Sequence, residues 1–325
     1  MVHINKCRPR KASLKLRNAK TEFDNCRSAL EDGIVYARLG LDRDKTAKLD
    51  YVSEVAEVSA FVRKGKRREH CQDAAFVFIK GPEVTAGVFD GYMANGTYVS
   101  ETIADLLVGL CSRGCPLPFE EAGKRIGSLR HPPDISGHGG STAVFANVVE
   151  DGGFYVNGIS DSAAYRIKKK EIERMFRYES DCNGNPLRGT DAEFFFRQRS
   201  YVRHTVTVYG IEQEHVESDG GLLNRGDSLL LVSDGVTKNL TVRVDPETMK
   251  IEDSSGAGDL ARILRGASSA TQMVSAVLKA IDRRIASHKI GARFRRCNKD
   301  TVILPEDDDV TIVAIKRNQP GLFER

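Results

Sequence analysis

Apolar residues along this chain fall into short runs broken by turn residues, and two longer segments show a helical period. Val55 to Val62 reads as a strand. Ala74–Ile79 and Val84–Phe89 read as two strands joined by the turn Lys80-Gly81-Pro82-Glu83, a hairpin. Over Tyr98–Cys111 the period changes: Val99, Ile103, Leu106, Leu107 and Leu110 share one face of a helix. Phe119–Leu129 is a weaker helical segment. Three apolar runs follow, Thr142–Val149, Gly153–Ile159 and Ala163–Ile167, separated by Glu150-Asp151-Gly152 and Ser160-Asp161-Ser162. Such short connections predict an antiparallel meander. Ser228–Ser233 is another apolar strand. Gln272–Ala286 is an amphipathic helix with Met273, Val274, Val277, Leu278, Ile281 and Ile285 on one face, and Val310–Lys316 is a closing strand.

Two stretches lack a clear period. Residues 1–50 are polar and read as a basic extension with one short helix. Residues 170–226 are rich in Arg, Gly, Asp and Asn and read as an irregular, flap-like insertion. The domain itself is expected over 51–320. Many strands with few long helices predict an α+β fold, sheet packed on sheet with helices outside.

At 325 residues, 40% apolar and 29% charged, the composition is that of an ordinary globular protein. No apolar stretch reaches the ~20 residues of a membrane span, and the first residues lack the apolar core of a secretory signal. Seven scattered Cys, with no two-residue spacing, predict reduced thiols in an intracellular compartment; a cytoplasmic location and a monomer are separate expectations. A net charge of +4 gives no argument for nucleic acid. Lys6, Arg8, Arg10, Lys11, Lys15, Arg17 and Lys20 form an acid-free basic arm, a solvated surface or a docking or targeting segment. Arg293, Arg295, Arg296 and Lys299 form a second cluster.

Candidate chemistry lies at strand ends. Val84–Phe89 runs into Asp90-Gly91, and Leu229–Ser233 runs into Asp234-Gly235. A carboxylate at the end of a core strand is fixed at the rim of the core, and hard oxygen ligands held this way suit Mg2+ or Mn2+. Asp73, Asp161 and Asp308 stand in similar places.

In order, the blocks Arg68-x-x-Cys71-Gln72-Asp73-Ala74, Gly87-Val88-Phe89-Asp90-Gly91, Gly140-Ser141-Thr142-Ala143, Asn157-Gly158-Ile159-Ser160-Asp161-Ser162, Leu230-Leu231-Val232-Ser233-Asp234-Gly235 and Asp308-Asp309-Val310-Thr311-Ile312-Val313 resemble the motifs of the metal-dependent protein phosphatases of the PPM type, also called protein phosphatase 2C. The resemblance covers residues 55–317. It implies a four-layer α-β-β-α sandwich and hydrolysis of phosphoserine and phosphothreonine in phosphoproteins by a metal-activated water. It also implies a centre of two Mg2+ or Mn2+ ions, with a third, weaker ion at Asp161. Carried over by position, Asp90 bridges the ions, the Gly91 carbonyl binds one, and Asp73, Asp234 and Asp308 complete the set. Arg68 grips the phosphate.

Tyr92 stands where the family has a His that protonates the leaving oxygen. A phenol is a poor proton donor near neutral pH. His70, His131 and His138 are alternative donors, and Cys71 replaces an Asn. The usual Gly-Gly is replaced by Met93-Ala94-Asn95-Gly96, and Ala163 replaces an Arg. A pseudophosphatase, a binding or scaffold module on the same fold, is therefore the second reading.

Overall fold

The computed structural model describes residues 26–31, 34–39, 46–53, 55–66, 68–115, 118–130, 135, 139–169, 171–176, 188–198, 204–211, 215–288 and 295–318. The basic arm of residues 6–20, His131, His138 and Arg293 lie outside them.

Two antiparallel sheets form the centre. The first joins, in spatial order, β1 (Cys26–Glu31), β2 (Ile34–Leu39), β5 (Ala74–Lys80), β6 (Glu83–Phe89), β9 (Ala143–Val148), β10 (Gly153–Ile159) and β15 (Glu217–Leu222). The second joins β12 (Ile172–Arg174), β11 (Ala163–Ile167), β16 (Ser228–Val232), β21 (Val310–Arg317), β4 (Ala56–Arg63) and β3 (Ala47–Val52). Two small sheets stand beside them: β14 (Gly210–Ile211), β13 (Val206–Thr207), β8 (Gly140–Ser141) and β7 (Gly91–Tyr92), and then β18 (Ile251–Asp253), β17 (Val242–Val244), β20 (Thr301–Ile303) and β19 (Arg295–Arg296). The described helices are α1 (Gly96–Ser112), α2 (Pro118–Ser128), α3 (Ala192–Gln198), α4 (Asp234–Thr237), α5 (Ala257–Ile263) and α6 (Ala270–Ser287).

Period-two alternation sorts each central strand between two cores. In β5, Ala75, Val77 and Ile79 face the second sheet, while Phe76 and Phe78 pack under α1 and α2 with Val99, Ile103, Leu107 and Phe119. In β16, Leu229 and Leu231 point between the sheets, and Leu230 and Val232 pack under α6 with Met273, Val274, Val277 and Ile281. The central strands of both sheets are covered on both faces. That is why these antiparallel strands read as continuous apolar runs rather than as an alternation of apolar and polar residues. The predicted α+β sandwich with outer helices is observed.

α6 starts where its chemistry dictates. Ser269 caps it, its Oγ accepting from the Gln272 amide at 3.1 Å, and Gln272 Oε1 accepts from the Ser268 amide at 2.7 Å.

Three expectations need correction. Residues 26–52 supply β1, β2 and β3, so this part of the N-terminal stretch belongs to the sheets rather than to an extension with a helix. Its signal was weak because β1 and β3 are edge strands, each paired on one side only. The meander ends at β10. With Ser160 at a φ of 73°, the chain turns and β11 crosses into the second sheet beside β16. The stretch 170–226 is also less irregular than it reads, since it contributes β12, α3, β13, β14 and β15. Phe195 and Phe196 form a local core with Val242, Val244 and Ile251, while Phe194 is exposed.

Asp259, which carries no motif, ties this side together. It is buried, and its carboxylate accepts from Arg284 at 2.7 and 2.9 Å, from Arg262 at 3.1 Å and from the Thr241 amide at 2.8 Å. Burial raises the pKa of the carboxyl, but the bonds to Arg284 and Arg262 outweigh it, and the net value lies below the ordinary one. Its stabilisation is therefore complete above the usual Asp range, near ~3.9, and disappears as pH falls through the folded value. Asp259→Asn is expected to cost about 3 kcal/mol at pH 7. Urea unfolding should show the difference from wild type shrinking below about pH 4.

Candidate metal centre

The sheet register gathers the acidic residues at one end of the sandwich. Ala74 pairs with Phe89, so Asp73 and Asp90, just outside that pair, are neighbours. Val232 pairs with both Ala163 and Ile312, which places Asp161, Asp234 and Asp308 next to one another. Val310 pairs with Arg63, bringing the Arg68 loop to the same end.

Ligand oxygens of Asp90, Asp161 and Asp234 lie within 4.8 Å of one another. The Asp234 amide, at the start of α4, donates to Asp90 Oδ2 at 3.4 Å. Asp73 is 2% exposed and accepts from Thr311 Oγ1 at 2.8 Å. Ser162, beside Asp161, is held by Thr142 of the Gly-Ser-Thr-Ala turn at 2.5 Å. Such packing fixes the carboxylates before any ligand arrives.

Glycine is required at both Asp-Gly turns by close backbone approach rather than by dihedral angle. A Cβ on Gly91 would lie 2.5 Å from the carbonyls of Gln72 and Gly96, and one on Gly235 would lie 1.8 Å from the Asp309 carbonyl. Gly235→Ala is expected to destabilise the fold by about 3 kcal/mol or more. Gly258→Ala, inside α5 with open space around it, should instead be neutral or stabilising by up to about 1 kcal/mol. Thermal melts of the two variants against wild type check the contrast.

Electrostatically the cluster is loaded. Burial, then repulsion from Asp309 and Asp234, pushes Asp73 well above the ordinary carboxylate range. Burial, then Asp234 and Asp73, does the same to Asp90. Asp161 is pushed up to about 7 by burial and by Asp234. Both Asp161 oxygens and Asp73 Oδ1 are buried with no hydrogen-bond partner among the described residues. Buried carboxylate oxygens without donors are costly unless a cation meets them. An all-oxygen donor set is what Mg2+ or Mn2+ takes, so the residues present fit a hard divalent ion.

The remaining candidates are arranged differently. Asp308 accepts from Arg68 Nε at 2.7 Å and from Lys238 Nζ at 3.2 Å. Burial raises its pKa, but Lys238 and Arg68 outweigh this and hold it below its usual range. Arg68 is thus engaged with Asp308, with its side chain 47% exposed. The Tyr92 hydroxyl is hydrogen-bonded to Thr205 Oγ1 at 2.8 Å. His70 is exposed. Cys71 is 1% exposed and burial pushes its thiol up, the signature of a small core residue.

Two charged residues were missed from sequence. Asp309 receives the amides of Gly65 and Gln72, both at 2.8 Å, and so clips the Arg68 loop to β21. Lys238, 8% exposed, ion-pairs with Asp234 and Asp308. Its spacing of four from Asp234 was the available signal.

No protein-family model matches the sequence, and no curated relative does. Solved structures do match it. A bacterial serine phosphatase superposes with a TM-score of 0.57 at 15% identity, covering 81% of this chain and 97% of its own. The Mycobacterium tuberculosis serine/threonine phosphatase PstP/Ppp gives 0.54 at 16% identity, covering 82% and 100%. The S. agalactiae serine/threonine phosphatase gives 0.52 at 16% identity, covering 80% and 99%. This chain has the PPM-type phosphatase fold. At the acidic end of its sandwich Asp90, Asp161 and Asp234 converge into a group of carboxylates that could hold a metal ion. Among the described residues no helix is long and apolar enough to cross a membrane.

Proposed function

We propose that this protein hydrolyses phosphoserine and phosphothreonine in phosphoproteins, using Mg2+ or Mn2+ held by Asp73, Asp90, the Gly91 carbonyl, Asp161, Asp234 and Asp308. The observation that carries the reading is the convergence of three carboxylates within 4.8 Å, two of whose oxygens are buried without partners, on a serine phosphatase fold. A bound divalent ion would supply Lewis acidity that activates water and offsets phosphate charge.

The chain's own residues do the rest. Asp73, Asp90 and Asp161 supply negative charge fixed by strand ends, so the site needs no reorganisation to receive a cation. Arg68 presents its guanidinium half-exposed beside Asp308. Its remaining N–H groups can donate to two phosphate oxygens, the bidentate geometry that guanidinium favours. Tyr92, held by Thr205, is the candidate proton donor to the leaving oxygen.

Turnover of p-nitrophenyl phosphate and of a phosphothreonine peptide, with Mn2+ and with EDTA, tests this reading. Metal-dependent hydrolysis of both is expected. Metal binding without hydrolysis would favour the second reading, a pseudophosphatase acting as a binding or scaffold module, which the engagement of Tyr92 and Arg68 supports. If proton donation limits the rate, Tyr92→His should raise kcat by ~10²-fold or more, since general acids typically contribute that much. An unchanged or lower rate would count against a missing proton donor limiting the rate.

A further inference from the structure

The acidic cluster divides into two halves, and the division is made by a side chain rather than by the backbone. On one half, cations are already in place. Asp308 Oδ1 accepts from Arg68 Nε at 2.7 Å and from the Asp309 amide at 3.0 Å. Asp308 Oδ2 accepts from Lys238 Nζ at 3.2 Å, and the same ammonium pairs with Asp234 Oδ2 and lies 3.7 Å from Glu306 Oε2. On the other half, both oxygens of Asp161 and Oδ1 of Asp73 have no partner among the described residues. Among the described residues Asp90 Oδ2 has the long 3.4 Å contact to the Asp234 amide.

We propose that Lys238 is a tethered cation that takes the position of one metal ion, between Asp234 and Asp308, and leaves this chain a single divalent site on Asp73, Asp90 and Asp161 with the second oxygen of Asp234. The inference rests on the metal-centre reading and refines it.

Three physical points support this arrangement. Lys238 is 8% exposed, so its interactions with carboxylates are weakly screened by water. It stands at the C-cap of α4, four residues after Asp234, so holding it there requires little conformational ordering. A divalent ion between Asp234 and Asp308 would have to displace it into a cleft also lined by Arg174. A dication and an ammonium sharing the same two carboxylates repel each other, whereas an ion on the Asp161 side meets Asp161 and Asp73 oxygens without a hydrogen-bond partner among the described residues. Asp308, on this view, anchors Lys238 and Arg68 and is not itself a metal ligand.

The test is a count of ions. Native mass spectrometry and Mn2+ titration calorimetry of the full chain should find one Mn2+ per wild-type molecule. Lys238→Met and the more polar Lys238→Gln should each take up a second Mn2+. Removing the built-in cation should also lower the melting temperature of the metal-free variants and enlarge the rise on adding Mn2+. Two tightly bound ions in the wild type would overturn the proposal even if neither variant folded. So would variants that fold and still bind one. No bound ion in any form would instead remove the metal-centre reading, and this inference with it.

Discussion

Asp90→Asn is expected to abolish metal-dependent phosphatase turnover while raising the melting temperature of the metal-free protein. The two effects share one cause. Asp90 lies with Asp161 and Asp234 in a group whose ligand oxygens are within 4.8 Å of one another. Burial and the charges of Asp234 and Asp73 push its carboxyl well above the ordinary range. Near neutral pH its charge therefore works against folding until a cation arrives. Asparagine removes that charge but keeps an oxygen to accept the Asp234 amide, so the fold loses a repulsion and little else. The same change removes a ligand from the centre. Loss of supporting residues around a metal typically costs 10–100-fold, and loss of the ligand should exceed about 10²-fold in kcat/KM. Activity assays with Mn2+ and melts in EDTA check both halves. A variant that loses activity and also melts lower would place Asp90 in the architecture rather than in the chemistry.

The stability of the metal-free protein should fall as pH rises from about 4 to about 7, and Mn2+ should remove this fall. Asp161 moves from an ordinary 3.8 to about 7 in the folded protein. The native state therefore holds a proton that the unfolded chain has released, and the penalty grows as pH rises through that interval. About three pH units at 1.36 kcal/mol each give on the order of 4 kcal/mol, a proton shared across the coupled carboxylates of the cluster rather than owned by one. A bound cation favours the ionised forms and reverses the sign. The rise in melting temperature on adding Mn2+ should accordingly be larger at pH 8 than at pH 5.5. An equal rise at both values would mean that the carboxylates are already ionised without metal.

Much of the scaffold was legible because it depends on short-range pattern. Val99, Ile103 and Leu107 on one face, and Met273, Val277 and Ile281 on another, announced the two long helices that cover the sheets. Strands buried on both faces, such as Ala74–Lys80 and Ser228–Val232, are runs that can hardly be anything else. The edge strands at Cys26–Glu31 and Ala47–Val52 were not legible, because a strand paired on one side need not be apolar on both faces. Nor was the crossing at Ser160, since a short polar connection looks the same whether it closes a hairpin or passes between sheets.

The candidate site was legible as a set of strand-end carboxylates but not as an arrangement. The sequence by itself determined that Asp73, Asp90, Asp161, Asp234 and Asp308 would each be fixed by a core strand, because strand ends are readable from apolar runs and the turns that stop them. Only the tertiary structure decided which of these acids would be left without a partner. Three consecutive aspartates at 307–309 are indistinguishable in sequence. Strand register gives Asp308 to Arg68 and Lys238, and Asp309 to the amides of Gly65 and Gln72. Charge neutralisation depends on distances of a few ångströms between residues as many as 240 positions apart. Local pattern carries no record of such distances, and the packing of one sheet on the other sets them.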